Sequence, residues 1–224
     1  MAPHMTTITE SRRPFVPGMG VDWLLPLYDP FTRLLGLDGV RRDLLLQSDL
    51  RPGYRVLDIG CGTGSLVVLL KQLFPDMEVV GLDPDEKALA RAKRKARRAG
   101  ADVRFDCAFS DALDYPDASF DRVFSSFMFH HLARDEKKRT LREIRRVLTP
   151  EGSLHLLDFG GPDSAGRGSR PRGVHGHHRL ADNDERILLG LLGDAGFAAV
   201  SRLSERVMLG FVRIVSYRAG RSLP

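Results

Sequence analysis

Hydrophobic positions in the middle of the chain fall into short continuous runs separated by stretches with helical spacing. The continuous runs predict five strands, at 55–60, 77–83, 101–109, 119–127 and 152–160. Such strands are short and apolar at nearly every position. This pattern is typical of a sheet that is covered on both faces.

The stretches between these strands predict helices over 65–74, 86–100 and 134–148. In the last of them, Leu141, Ile144 and Leu148 recur at the spacing of one helix face. Strands that alternate with helices in this way predict a parallel sheet with helices packed on both sides.

The end of the chain predicts a further helix over 182–197, capped by Asp182 or Asn183, and two strands at 198–206 and 209–219. Two strands joined by so short a turn can pair only antiparallel. The predicted fold class is therefore α/β: a doubly wound, seven-stranded, mostly parallel sheet with an antiparallel C-terminal hairpin.

Two parts of the chain lack this alternation of strands and helices. Residues 1–50 predict a tail followed by a helical cap, whose first stretch is interrupted by Pro26 and Pro30. Residues 51–224 predict one domain, and within it the Gly- and Arg-rich segment 160–180 predicts a mobile loop.

The composition and hydropathy of the chain indicate in which cellular compartment the protein is expected. The 224 residues are 42% hydrophobic, and the mean hydropathy is −0.20. No apolar run approaches the ~20 residues that span a bilayer. The N-terminus lacks the apolar segment of a secretory signal, and two cysteines are too few for a disulfide framework. These features predict a cytoplasmic protein.

The net charge of +5 is concentrated in the predicted helix 86–100, which carries seven Lys and Arg residues. Two interpretations remain open: a solvated outer helix face, which we favour, and a patch that binds nucleic acid. No aromatic residue interleaves the bases, so a stacking platform for nucleic acid is not expected.

Glycines occupy every second position directly after the first predicted strand, at Gly60, Gly62 and Gly64. Glycine leaves room for a ligand to lie against the backbone, and it permits a tight turn from strand to helix. The helix N-terminus that follows offers free N–H groups to a carboxylate or a phosphate. The carboxyl ends of strands in such a sheet are also where ligands bind.

An acid accompanies the end of each of the first three strands. Asp58 stands just before the glycines and suits an ammonium group, whereas a carboxylate there would repel a pyrophosphate. Asp83 stands where an acid accepts the two hydroxyls of a ribose. Asp111 is placed to accept from the amine of an adenine.

The glycine spacing argues against a dinucleotide site. A dinucleotide loop reads G-x-G-x-x-G, whereas this loop reads G-C-G-T-G-S from Gly60 to Ser65. Taken together, the acids and the loop describe an amino acid joined to an adenosine. The predicted cofactor is S-adenosyl-L-methionine (SAM), with S-adenosyl-L-homocysteine (SAH) as the product.

The sequence resembles the class I SAM-dependent methyltransferases over residues 50–160. The residues that carry the resemblance are VLDIGCGTG (56–64), VVGLDPDEKALARA (79–92), the segment 109–132 and EIRRVLTPEGSLHLLDF (143–159). In addition, LPLYDPFTRLLG (25–36) is similar to the N-terminal segment of the ubiquinone/menaquinone-biosynthesis subgroup.

The resemblance implies which residues contact the cofactor. Asp58, Gly60 and Gly62 would line its methionine end, and Asp83 would hold the ribose. The full set implied is Tyr28, Asp58, Gly60, Cys61, Gly62, Asp83, Pro84, Asp111, Ala112, Ser126 and Phe127.

Several residues have a structural interpretation beside the functional one. Asp58 and Asp83 could be helix caps, and Cys61 is expected to pack in the turn, not to act as a nucleophile. One of His130 and His131, after the fourth strand, could take a proton from an accepting hydroxyl, but structural packing or solvent exposure is the favoured interpretation. The histidines in 175–178 are assigned to the mobile loop, so no metal site is predicted.

The predicted function is methyl transfer to a small, largely apolar acceptor, aromatic or quinone-like. Trp23, Tyr28 and Phe127 would contribute to the wall of its pocket. Two alternatives remain open: a SAM-binding protein that acts on RNA or protein, and one that uses SAM without methyl transfer. The sequence assigns no catalytic residue and no oligomeric state.

Overall fold

The computed structural model describes residues 35–161, 184–208 and 212–221. Its strands are Arg55–Ile59 (β1), Glu78–Leu82 (β2), Arg104–Asp106 (β3), Phe120–Ser126 (β4), Leu148–Phe159 (β5), Ala199–Met208 (β6) and Val212–Gly220 (β7). They form one seven-stranded sheet in the order β3-β2-β1-β4-β5-β7-β6. β1 to β5 pair in parallel, and β7 lies antiparallel between β5 and β6. The predicted fold class is confirmed.

Helices cover both faces of the sheet. They are Leu37–Leu46 (α1), Ser65–Leu73 (α2), Glu86–Arg98 (α3), Arg134–Val147 (α4) and Glu185–Asp194 (α5), with a 3-10 turn at Phe129–His131. Apolar residues of α1, α2 and α3 pack with Val56 and Phe124 on one face. Those of α4 and α5 pack with Leu57 and Val123 on the other. Since β1 and β4 are buried on both sides, their apolar runs are continuous.

The winding of the sheet reverses between β1 and β4. From β1 the chain moves outward through β2 to β3, and it then returns to place β4 on the opposite side of β1. The carboxyl ends of these two strands diverge into loops of opposite direction, which leaves a crevice for a ligand at that edge.

Several element boundaries differ from the sequence prediction. β3 is only Arg104–Asp106 because it is an edge strand that pairs with β2 alone, and β2 ends at Leu82. β5 begins early, at Leu148, which pairs with Phe120 across a register shift. α5 is shorter than predicted, because Asp184 caps it by accepting from the N–H of Arg186. The predicted caps Asp182 and Asn183 lie outside the described residues.

The basic helix α3 buries Ala88, Leu89, Ala92 and Ala96, and most of its bases are exposed. Lys95 is an exception, since its Nζ donates to Ser65 Oγ at 2.9 Å, at the start of α2. α3 therefore packs on the sheet as the predicted amphipathic helix and is also bonded to the neighbouring helix.

The division into a cap of residues 1–50 and a domain of residues 51–224 falls partly on residues that the structure does not describe. Within the described part, α1 packs into the same core as β1 and α2. Most of the loop 160–180, with its histidines, lies outside the described residues, as do Trp23 and Tyr28. None of the described helices combines the length and the apolar content needed to cross a membrane.

Candidate functional site

The glycine turn closes onto the end of β2. The backbone N–H groups of Gly60 and Cys61 both donate to the carbonyl of Leu82, at 2.7 and 3.0 Å. Gly60 has a φ of 70°, and a Cβ built there would lie 2.1 Å from Met128 Cγ. Gly62 has a φ of 53°, and a Cβ there would meet no described heavy atom within 4 Å. The turn thus packs tightly at Gly60 and is open at Gly62.

Asp83 is held by this turn. Its Oδ2 accepts from the N–H of Gly62 at 2.8 Å, and its Oδ1 accepts from the N–H of Asp85 at 2.9 Å. The cap of α3 is Asp85, whose Oδ1 accepts from the N–H of Lys87. The interpretation of Asp83 as the helix cap is therefore wrong. Burial raises the pKa of Asp83 to about 6, although both N–H donors oppose the shift.

Asp58 lies near the carboxyl end of β1, the strand that forms the floor of the crevice, and is 1% exposed. Among the described residues, no hydrogen-bond partner meets its Oδ1. Burial raises the pKa of Asp58 to about 8, with the charge of Arg41 opposing the shift and that of Asp83 adding to it. A buried carboxylate oxygen without a donor is costly, so this atom suits a cationic or N–H-bearing ligand.

The end of β4 adds two more buried oxygens. The hydroxyl oxygens of Ser125 and Ser126 also have no hydrogen-bond partner in the part of the chain that the structure describes. Phe127 follows with a φ of 55°, a strained conformation for an aromatic residue. Its N–H donates to Leu157 O at 2.8 Å, which fixes the turn away from β4. Strain of this kind clusters at functional sites.

The predicted adenine contacts form a looser group. Asp111 accepts from Arg139 Nε at 2.9 Å, so its carboxylate already has a cationic partner within the fold. The N–H of Ala112 makes a long bond of 3.4 Å to Phe109 O. Pro84 lies at the end of β2, where its carbonyl accepts from the Cys107 thiol. Pro84 follows β2, whereas Asp111 follows β3 and is bonded to Arg139 of α4.

Cys61 is buried in the turn, where its Sγ lies 3.0 Å from the position of a Cβ built on Gly81. Burial raises the pKa of its thiol well above the usual value, and the charges of Asp58 and Asp83 add to the shift. A thiol in this state is a poor nucleophile. The structure thus supports packing for the Cys61 side chain.

Arg41 is a buried charged residue near Asp58 that the sequence pattern did not single out. It comes from α1, is 3% exposed, donates to Asp38 at 3.0 Å and lies over the ring of Phe127 at 5.5 Å. Its charge also acts on Asp58. In the sequence, Arg41 could have been recognised as a basic residue on the apolar face of a helix. It lies one turn after Leu37 and directly after Val40.

Asp158 is a second missed residue. It is 2% exposed, at the end of β5, and its Oδ1 lies 2.6 Å from Nδ1 of His130. In the sequence, Asp158 is an acidic residue at the end of an apolar strand. Asp58 and Asp83 were identified by the same pattern. The structure therefore gives His130 a buried acidic partner that the sequence did not.

The geometry fits a ligand that carries both an amino acid and a nucleoside. Asp58 offers an unpartnered buried oxygen for an ammonium group, and the space beside Gly62 leaves the backbone accessible. Asp83 stands at the next strand end, and each of its oxygens keeps a free lone pair after its N–H bond. These are the features expected of a SAM site.

Comparison with known proteins agrees with this geometry. A family model described as "Methyltransferase domain" matches residues 56–152. The demethylmenaquinone methyltransferase of Thermus thermophilus is 38% identical over 189 residues, which cover 82% of this chain and 81% of that protein. The chain belongs to the class I SAM-dependent methyltransferases.

One further relative of this methyltransferase and one solved structure of similar fold are named for other substrates. The 27-O-demethylrifamycin SV methyltransferase of Amycolatopsis mediterranei is 39% identical over 112 residues, 49% of this chain and 40% of that protein. A solved geranyl diphosphate methyltransferase in complex with SAM has a TM-score of 0.68 at 18% identity, covering 83% of this chain and 85% of that one. The second similarity is one of fold alone.

Proposed function

We propose that this methyltransferase transfers the methyl group of SAM to a small, largely apolar acceptor with a quinol-like ring. The observation that carries the proposal is the extent of the similarity to the demethylmenaquinone methyltransferase. That alignment spans 189 residues, whereas the family model covers only residues 56–152. Similarity that continues beyond the shared domain supports a related acceptor.

Under this proposal the crevice floor binds the methionine end of SAM. Asp58 Oδ1 accepts from the ammonium group, and the backbone at Gly60 and Gly62 lies against the ligand. A charge-assisted hydrogen bond of this kind favours the ionised carboxylate, so binding lowers the pKa of Asp58 from its raised value.

Asp83 accepts from the ribose hydroxyls with the lone pairs that Gly62 and Asp85 leave unused. The other proposed contacts are those of the sequence analysis: Tyr28, Cys61, Pro84, Asp111, Ala112, Ser126 and Phe127. Of these, Ser126 has the strongest support, because its buried hydroxyl oxygen has no partner among the described residues.

The acceptor is proposed to bind beside an aromatic group at the ends of β4 and β5. The rings of Phe127 and Phe159 lie 5.1 Å apart, and His130 lies edge-on to Phe159 at 5.1 Å. We further propose that residues 1–50 act as a cap that completes this wall, with the loop 160–180 across from it.

Catalysis by this chain is mostly a matter of positioning. SAM supplies a methyl group activated by a sulfonium centre. The protein's part is to hold the acceptor atom about 3–3.5 Å from that carbon and in line with the bond that breaks. The strained turn at Phe127, fixed by its bond to Leu157, gives the crevice a rigid side for this task.

We also infer that the enzyme works in the cytoplasm on a small molecule and not on nucleic acid. The two cysteines, one buried and one exposed, are not joined in a disulfide, which is consistent with a reducing compartment. The exposed bases of α3 are then a solvated surface.

Transfer of labelled methyl from SAM tests the proposal. Purified enzyme is supplied with short-chain demethylmenaquinol, with RNA or with no acceptor, and both SAH and methylated product are measured. We expect SAH and methyl-quinol in equal amounts, and neither with RNA. Transfer to RNA, or SAM binding without any SAH formation across a small-molecule library, would contradict the proposal.

A further inference from the structure

His130 and Asp158 form a bonded pair where β4 and β5 end. Nδ1 of His130 lies 2.6 Å from Asp158 Oδ1, and the backbone N–H of His130 donates to Oδ2 at 2.9 Å. The N–H of Phe159 also donates to Oδ1, at 2.7 Å. The carboxylate is therefore hydrogen-bonded to both the ring and the backbone of His130. These two bonds fix the orientation of the imidazole.

The surroundings of Asp158 favour its ionised form. Burial raises its pKa, but His130 and the two backbone N–H donors outweigh this and hold the pKa below its usual value. An ionised carboxylate can only accept, so Nδ1 of His130 must carry the proton of this bond. The other ring nitrogen, Nε2, is then left with its lone pair in the neutral imidazole.

The pair borders the same crevice as the glycine turn. Met128, two residues before His130, fills the space beside Gly60, where a Cβ would lie 2.1 Å from its Cγ. The ring of His130 packs edge-on to Phe159, which in turn packs against Phe127. The His130 side chain is 15% exposed, whereas that of Asp158 is 3% exposed. The pair is thus buried at its acidic end and accessible at the imidazole.

We propose that His130, oriented by Asp158, is the general base that takes the hydroxyl proton of the acceptor. The inference rests on the proposed function and narrows it: the acceptor must carry an ionisable hydroxyl. His130 would be the catalytic residue, and Asp158 a positioning residue that acts through it. The arrangement matches that of an oriented imidazole base, in which a third group fixes the tautomer.

The step balances with a sulfonium methyl donor. The acceptor O–H bond breaks, and its proton goes to Nε2 of His130. The electron pair left on oxygen, or on the ring carbon conjugated with it, forms the new bond to the methyl carbon. The carbon–sulfur bond breaks and its pair stays on sulfur, which becomes a neutral thioether. Where a ring carbon is methylated, the oxygen becomes a carbonyl. That carbon then loses its hydrogen as a proton to water, and the oxygen regains the electron pair and takes a proton back from His130.

Substitution of His130 tests the inference on activity and on binding together. His130→Gln and His130→Ala should lower kcat for demethylmenaquinol by about 100-fold or more, the usual contribution of a general base. SAH affinity measured by calorimetry should stay within about threefold of the wild type. Added imidazole should restore part of the turnover of His130→Ala, which a purely structural role would not allow.

The matched control is His131→Gln, which changes the adjacent ring, 4.0 Å away. It should retain kcat within about threefold. Asp158→Asn keeps the size of the positioning residue and should lower kcat by about 10-fold or more, with SAH affinity retained. Equal kcat in the wild type and in both His130 variants would overturn the inference.

A measurement that needs no turnover separates this inference from the proposed function. Nitrogen-15 chemical shifts of the His130 ring should report the tautomer with the proton on Nδ1 in the wild type, and a loss of that preference in Asp158→Asn. A proton on Nε2 in the wild type would overturn the inference. A wild type with the expected tautomer but no transfer to any acceptor would instead contradict the proposed function.

Discussion

At the scale of single residues, the site depends on polar atoms that the fold buries without a partner. Asp58 is the clearest case, because its pKa is raised to about 8 and its Oδ1 has no donor among the described residues. Such a residue weakens the empty protein and strengthens the liganded one. Both effects can be measured on one substitution.

Asp58→Asn should stabilise the unliganded fold and weaken cofactor binding. In the unfolded chain this carboxyl ionises near the ordinary aspartate pKa of 3.8, whereas in the folded protein it keeps its proton until about pH 8. Asp58 therefore costs stability increasingly as the pH rises through that window. At pH 9 the variant should gain at least about 1 kcal/mol, the value of roughly one pKa unit.

Urea unfolding at pH 5 and pH 9 measures the gain in stability, and SAH calorimetry measures the loss in affinity. Loss of a charge-assisted bond should weaken SAH binding by about 10-fold or more. The exposed acid Asp76 is the matched control, since Asp76→Asn should change neither quantity. A variant of Asp58 that binds SAH as well as the wild type would remove Asp58 from the site.

Gly60→Ala and Gly62→Ala should affect different properties, the first mainly stability and the second mainly SAH binding. Both positions have positive φ, which costs a side chain about 1–2 kcal/mol. At Gly60 the added Cβ also meets Met128, so we expect a marked fall in melting temperature. At Gly62 the space is open, so the variant should fold but bind SAH at least about 10-fold more weakly. Similar melting temperatures for the two variants would contradict this distinction.

At the scale of elements, the N-cap of α3 is hydrogen-bonded to a residue of the proposed site, whereas no such bond is described for the N-cap of α5. Asp85 caps α3 and Asp184 caps α5, each by accepting from the N–H two residues further on. Asp85 also donates its own N–H to Asp83. The start of α3 and the proposed ribose acceptor are therefore one connected unit.

Asp85→Ala and Asp184→Ala should each cost about 1 kcal/mol of stability, the usual loss for an N-cap. Only Asp85→Ala should also weaken SAH binding, because loss of that side-chain cap loosens the backbone whose N–H, at Asp85, donates to Asp83. Chemical denaturation and calorimetry on the two variants check both statements. Equal SAH affinities would contradict the proposed role of the β2–α3 turn.

The sequence was informative wherever a pattern was local and periodic. The apolar runs predicted seven strands, mostly parallel with an antiparallel C-terminal hairpin, and this is confirmed, whereas the order of the strands in the sheet was not predicted. Element ends were less predictable because they depend on pairing. β3 stops where β2 ends, which the apolar content of 101–109 does not reveal.

The site was predictable in part for the same reason. Asp58 and Asp83 end strands and stand out in apolar runs, so they could be singled out. The bond between His130 and Asp158 joins residues 28 positions apart in the chain. It depends on the register of β4 against β5, which local patterns do not encode. Likewise, only tertiary packing brings Arg41 of α1 close to Asp58.

At the scale of the whole molecule, one buried histidine links three elements. His155 of β5 lies 3.1 Å from Ser48 Oγ after α1, 3.0 Å from Ser153 Oγ, and stacked on Phe124 of β4. Burial lowers its pKa to about 3, and the charges of Arg122 and Arg218 add to the shift. The native fold therefore requires this imidazole to be neutral.

His155 should make the fold sensitive to acid. The unfolded imidazole takes up a proton near pH 6.5, whereas the folded one resists until about pH 3. Its contribution to stability is complete above pH 6.5 and is lost progressively as the pH falls toward 3. His155→Gln should lower stability at pH 7 and should show a flatter pH dependence between 6.5 and 4. Parallel stability curves for the two proteins would contradict the assignment.

Calorimetric titration of SAH into the wild-type protein at pH 7, in two buffers of different ionisation enthalpy, tests the cofactor site most directly. Because the raised pKa of Asp58 leaves most of that carboxyl protonated in the empty site, pairing with the ammonium group should release close to one proton. We predict SAH binding with that release, and no heat with NAD. Binding of NAD in place of SAH, or SAH binding without proton release, would contradict the central claim.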